Sequence, residues 1–143
     1  MQKHPDVRLL LDTHVFIWLM NGDNSLSAKA RVLIERVVEE EGSIALSAIS
    51  LWEISMLYAK KRIVLNQPCL NWMTHSLQAP GIHLSELTPE IADDSCALAN
   101  NFHGDPADRI IVATARILDI PLMTRDEKIL AYSQEGFVQC LTP

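Results

Sequence analysis

The sequence predicts an α/β fold, a mainly parallel sheet with helices on both faces, and three observations carry that prediction. Short apolar runs alternate with longer segments whose apolar residues recur at the helical period. Turn residues punctuate the alternation, as in Asn21-Gly22-Asp23-Asn24 and Pro80-Gly81. No internal repeat or linker interrupts it, so residues 1–143 read as a single domain.

Each element follows in order. Arg8-Leu9-Leu10-Leu11 has the pattern of a buried strand and ends on Asp12. The mostly apolar stretch Thr13 to Met20 comes next and stops at the Asn21–Asn24 turn. Ser27 can cap a helix from Ala28 to about Glu41, with Ala30, Leu33, Ile34, Val37 and Val38 at the helical period and Gly42 ending it. Ser43-Ile44-Ala45-Leu46 reads as a second strand. Ser47 to about Arg62 reads as a helix with Ile49, Trp52, Met56 and Ala59 on one face. A shorter helix follows Pro68, and Ile82-His83-Leu84 is a third strand. Thr88-Pro89-Glu90 starts a helix that runs through Ile91, Ala92, Cys96 and Ala99. Asn100–Gly104 is a loop, and Asp105-Pro106 opens a helix from Ala107 to about Leu118. Ile120–Thr124 is a fourth strand, Asp126–Tyr132 a closing helix, and Phe137-Val138-Gln139 an edge strand.

Composition narrows the function. Hydrophobic residues make up 48% of the chain and charged ones 21%, an ordinary globular balance. The formal net charge is −6, from 18 acidic against 12 basic side chains, the reverse of the bias a phosphate-binding surface needs. Nucleic acid is therefore not the ligand unless part of that acidity holds a cation, which would invert the local field. Cys69, Cys96 and Cys140 are odd in number and form no CxxC clip, so they read as reduced, buried thiols. No apolar run approaches the roughly 20 residues of a membrane span. Met1–Arg8 is polar with Pro5 inside it, unlike a signal peptide. The expectation is a cytoplasmic protein with no membrane contact.

The acids carry the chemistry. Ligands of open parallel sheets bind at the carboxyl ends of the strands. Asp12 ends the first strand, Asp126 follows the fourth, Glu53 lies in the helix after the second, and Asp105 and Asp108 open another helix. Carboxylates that converge repel one another unless they share protons or bind a cation. Oxygen-only ligation selects a hard ion, Mg²⁺ or Mn²⁺, suited to phosphodiester hydrolysis. Each acid also has a plainer reading. Asp12, Asp105 and Asp126 can cap helices, Asp108 can face a helix dipole, and Glu53 can close a capping box with Ser50.

Four segments resemble, in order, the motifs of PIN-domain nucleases: Leu10-Leu11-Asp12-Thr13-His14, Ser47-Ala48-Ile49-Ser50-Leu51-Trp52-Glu53-Ile54, Asp105-Pro106-Ala107-Asp108-Arg109-Ile110-Ile111-Val112-Ala113-Thr114-Ala115 and Leu122-Met123-Thr124-Arg125-Asp126. The resemblance runs from about Leu9 to Asp126 and is strongest to the VapC-like toxins of type II toxin–antitoxin pairs. It implies an α/β/α sandwich with a central sheet of four or five strands. It also implies an RNA endonuclease using Mg²⁺ or Mn²⁺, held by Asp12, Glu53, Asp108 and Asp126, with metal-activated water leaving a 5′ phosphate and a 3′ hydroxyl. Asp108 takes the third place because the family acid directly precedes the apolar helix run, and Asp105 then becomes the cap. A homodimer and a small cognate antitoxin are the implied partners besides RNA.

Supporting roles stay open between two readings each. Thr13 and Thr124 can orient a carboxylate or serve as ordinary turn hydroxyls. Arg109 and Arg125 can hold a phosphate or, the preferred reading, ion-pair with the acids. His14 reads as structural, and Trp18, Trp52 and Trp72 as core. The competing functions are a PIN-domain RNA-processing nuclease without an antitoxin, a non-catalytic RNA- or protein-binding PIN-like module, and a haloacid-dehalogenase-like phosphatase. The last wants an Asp at the position of His14.

Overall fold

The computed structural model describes residues 6–99, 102 and 104–143. Its strands β1 (Val7–Leu11), β2 (Ser43–Ser47), β3 (Ile82–Ser85), β4 (Leu122–Met123) and β5 (Cys140–Leu141) form one sheet in the order β3-β2-β1-β4-β5. Every pairing among them is parallel. The helices are α1 (Thr13–Asn21), α2 (Ala28–Glu39), α3 (Ala48–Ala59), α4 (Cys69–Ser76), α5 (Pro89–Cys96), α6 (Pro106–Leu118) and α7 (Glu127–Gln134). The fold is the expected α/β/α arrangement, and among the described residues its five strands are all parallel.

Side chains of a strand alternate between faces, and that alternation splits the core in two. Leu9, Leu11, Ile44, Leu46 and Met123 face one layer with Phe16, Ile34, Ile54, Leu57 and Trp72 of α1 to α4. Leu10, Ala45 and Leu122 face the other, with Ile111, Val112 and Ala115 of α6 and Ile129 and Tyr132 of α7. A sheet buried on both faces needs near-continuous apolar strands, which is what Leu9-Leu10-Leu11 and Ile44-Ala45-Leu46 supply.

The strand order reverses at β1. From β1 the chain crosses to β2 and β3 on one side, then returns to β4 and β5 on the other. The crevice beyond the carboxyl ends of β1 and β4 is the switch point of the sheet, where open α/β folds bind ligands. Asp12 N–H donates to the Met123 carbonyl at 3.0 Å and ties the two ends together.

Several local expectations are corrected. The buried side of α3 is Ser50, Ile54 and Leu57, while Trp52 is 59% exposed. This helix is apolar nearly all round, so its periodicity does not single out a face. Helix α2 ends at Glu39, and the left-handed residue after it is Glu41, with φ 63°. Gly42 is required for space: a Cβ there would lie 2.9 Å from Arg8 and Val37 side-chain atoms. The edge strand is Cys140–Leu141, three residues beyond Phe137, because Leu122 pairs with Cys140. Helix α5 ends at Cys96, short of Ala99. Cys96 is exposed and the other two thiols are half-buried, not core. The expected Asn100–Gly104 loop and the polar Met1–Pro5 segment fall largely outside the described residues. No helix among the described residues is long and apolar enough to cross a membrane.

Candidate functional site

The site is built from Asp12 outward. As the residue between β1 and α1 it sits at the N-terminus of the helix, and its Oδ1 accepts the Thr13 N–H at 2.8 Å. Its Oδ2 accepts the Thr124 hydroxyl at 2.6 Å. Thr124 is fully buried and also accepts the Asp126 N–H, at 3.0 Å, so one hydroxyl joins two acids. Burial pushes the Asp12 carboxyl above its usual range, and the Thr124 and Thr13 hydrogen bonds pull it partly back.

Glu53 reaches the same place from the second turn of α3. Its Oε1 accepts the Thr13 hydroxyl at 2.6 Å, and Thr13 Oγ1 lies 2.8 Å from the Ser50 hydroxyl. A hydroxyl has one proton to give. With Thr13 donating to Glu53, Ser50 donates to Thr13, and the three residues form a relay ending on the carboxylate. This replaces the capping-box reading of Ser50 and Glu53, since Ser47 caps α3 through the Ile49 N–H. Burial raises the Glu53 carboxyl, the Thr13 bond opposes it, and Asp12 and Asp105 raise it further.

Asp105 caps α6, accepting the Asp108 N–H on Oδ1 at 2.8 Å. Asp126 caps α7 through the Ile129 N–H at 3.0 Å. Capping and site roles coexist here, because a cap at a strand end aims its carboxylate over the crevice. Asp108, one turn into α6, is held up to about 7 by burial first, then by Asp105, Asp126, Asp12 and Glu53.

Asp12, Glu53, Asp105, Asp108 and Asp126 all line one cleft of about 290 Å³, together with Thr13, His14, Trp18 and Arg125. The structure thus brings the four expected acids together with Asp105. Thr124 lies beneath them. Arg109 turns away, its Nε donating to the Gly104 carbonyl at 3.2 Å. Arg125 donates to the Ser25 carbonyl at 2.7 Å and stacks over Trp18, so among the described residues neither arginine ion-pairs with the acids, contrary to expectation. His14 is exposed in the cleft, and Trp18 lines it, while Trp72 is the tryptophan in the core.

Ser50 and Gly104 are the contributors that sequence reasoning missed. Ser50 is the one polar residue on the buried face of α3, which is its signal. A Cβ on Gly104 would collide with the Phe102 ring and lie 2.9 Å from the Asp108 Cβ, so glycine sets where α6 presents Asp108.

The donor set fits a hard divalent cation. Five carboxylates and the Thr13 hydroxyl line the cleft beside the single imidazole of His14, an oxygen-rich set of the kind hard ions take. Among the described residues no three side chains are already closed into a ligand cage. Carboxylates drawn that close would repel one another without a cation between them.

The PIN domain profile matches residues 9–134. The chain is 36% identical over 124 residues to the protein named Ribonuclease VapC22 of Mycobacterium tuberculosis, covering 87% of this chain and 91% of that one. It is similar to a toxin–antitoxin complex structure from Klebsiella pneumoniae, at 26% identity and TM-score 0.59 over 86% of this chain and 90% of the other. A structure of VapBC2 from Rickettsia felis, bound to a promoter DNA fragment, shares the fold at TM-score 0.69 and 13% identity, covering 95% and 98% of the two chains. With its four motifs gathered at one cleft and its profile spanning most of the sequence, the chain belongs to the PIN domain family.

Proposed function

We propose that this protein is a divalent-metal-dependent RNA endonuclease and the toxin of a toxin–antitoxin pair. The observation that carries the reading is the meeting of Asp12, Glu53, Asp108 and Asp126 at the carboxyl ends of β1 and β4 in a PIN-family chain. The 36% identity to a ribonuclease and the toxin–antitoxin structural relative support the substrate and the biological role.

In this reading Asp12, Glu53, Asp108 and Asp126 hold Mg²⁺ or Mn²⁺, and Asp105 organises the N-terminus of α6. When bound, the ion supplies Lewis-acid activation of water and neutralises charge on the phosphoryl oxygens. The protein's own contribution is orientation. Thr124 and the Thr13 N–H fix both oxygens of Asp12, and the Ser50–Thr13 relay fixes Glu53. Water attacks phosphorus and gives up a proton, the P–O3′ bond breaks, and the departing 3′ oxygen takes up a proton, leaving a 5′ phosphate and a 3′ hydroxyl. The proposal includes one domain over residues 1–143, a cytoplasmic location, a homodimer and a small antitoxin that covers the acidic cleft with basic side chains.

Incubation of the protein with single-stranded RNA, with Mg²⁺ and with EDTA, tests the chemistry. Cleavage to 5′-phosphorylated products in Mg²⁺ and none in EDTA is expected. Equal cleavage in EDTA, or none in either, overturns the reading. A small reading frame overlapping or just upstream of this gene is the matching test of the toxin assignment.

A further inference from the structure

We infer that Trp18 and Arg125 form a nucleotide-binding subsite beside the acids, taking the base and phosphate of one single-stranded RNA residue next to the bond that is cut. The inference rests on the ribonuclease reading and deepens it by naming residues that receive the substrate.

Charge is the first argument. Five carboxylates line the cleft, and among the described residues Arg125 is the one arginine or lysine that lines it. An RNA strand brings phosphates to that surface and needs a cation there. Arg125 is adjacent in sequence to Asp126, yet it makes no ion pair with any of the five acids. Two other contacts hold it: Nη2 donates to the Ser25 carbonyl at 2.7 Å, and its guanidinium carbon lies 4.7 Å from the centre of the Trp18 ring. A guanidinium has five N–H donors, so the single bond to Ser25 leaves most of them for an incoming phosphate.

Shape is the second. Trp18 is half-buried: it packs against the core at the edge of α1 and also lines the cleft. It stands one helical turn after the exposed His14, with ring centroids 6.3 Å apart and planes tilted by 51°. The guanidinium lies over one face of the Trp18 ring, and both planar groups line the cleft. Such surfaces stack on unpaired bases, whereas a duplex hides its base faces. The Ser25 hydrogen bond comes from the turn after α1 and fixes Arg125, so the platform is formed before substrate arrives.

The test is RNA affinity by fluorescence anisotropy, using a labelled single-stranded RNA in Mg²⁺ and an Asp12→Asn background that keeps the strand whole. Arg125→Ala is expected to weaken binding about tenfold at low salt and to flatten the slope of log K against log[salt] by about 0.7, the value for one phosphate contact on a single strand. Arg125→Lys is expected to restore the slope. Trp18→Ala is expected to weaken binding about tenfold with the slope unchanged, and Trp18→Phe to retain most of the affinity. Unchanged slope and affinity in a folded Arg125→Ala protein, or unchanged affinity in Trp18→Ala, overturns the subsite. If the unsubstituted chain still cleaves RNA, the ribonuclease reading survives that outcome. A chain that neither binds nor cuts RNA overturns both.

Discussion

The Thr13 hydroxyl donates to Glu53 Oε1 at 2.6 Å, linking the start of α1 to the second turn of α3 across 40 positions of sequence. Ser50, fully buried, completes the relay at 2.8 Å. Partners that orient a metal ligand typically contribute 10- to 100-fold, roughly, in affinity or activity. Thr13→Val and Ser50→Ala are therefore expected to slow RNA cleavage by about that factor while the chain stays folded. Steady-state cleavage alongside thermal melting checks this. Full activity in Ser50→Ala would show that Thr13 positions Glu53 unaided.

Asp108 and Asp105 separate by substitution. Asp108→Asn is expected to abolish cleavage and to weaken Mn²⁺ binding. Asp105→Ala removes a helix cap, costs about 1 kcal/mol of stability and leaves substantial cleavage. Melting curves and cleavage rates for the two variants decide the matter. The reverse pattern would move the third metal ligand to Asp105.

The elevated Asp108 carboxyl makes a pH prediction with a definite sign. Its folded value is about 7 against an ordinary 3.8, so between those limits the folded state binds more protons than the unfolded one. The stability contribution is present below about pH 4 and is lost as pH rises toward 7. Discounted for solvent screening at a part-exposed site, its size is about 1–2 kcal/mol. The metal-free protein is thus expected to lose melting temperature from pH 5 to pH 8 by more than Asp108→Asn does. Identical pH profiles for the two proteins would show that Asp108 does not carry the effect.

Gly104 offers a test of how α6 is placed. Gly104→Ala forces its Cβ against the Phe102 ring and the Asp108 Cβ. Overpacking of this kind costs about 1–3 kcal/mol. Weaker Mn²⁺ binding is expected with it, because Asp108 must shift. Calorimetry and melting measured together distinguish that from a loss of stability alone.

The layout of the fold was legible because strand runs such as Leu9-Leu10-Leu11 are apolar throughout and each is followed by a polar break. Asp12 and Asp126 were legible for the same reason: an acid at, or a few residues past, the carboxyl end of a strand lies near the crevice. The facing of α3 was not, since Ile49, Trp52, Ile54 and Met56 are all apolar and tertiary contacts choose among them. Nor was the state of Arg125. Its proximity in sequence to Asp126 suggests a pair, but the Ser25 carbonyl and the Trp18 ring, about a hundred residues away, hold it instead.

The most direct measurement of the central claim is Mn²⁺ affinity by titration calorimetry on the unsubstituted protein and on Asp12→Asn. Asp12 is the acid with both oxygens fixed by neighbours, and the account predicts saturable binding that Asp12→Asn weakens by about 100-fold or more. Equal affinity in the two proteins, or no binding by the unsubstituted chain, would contradict it.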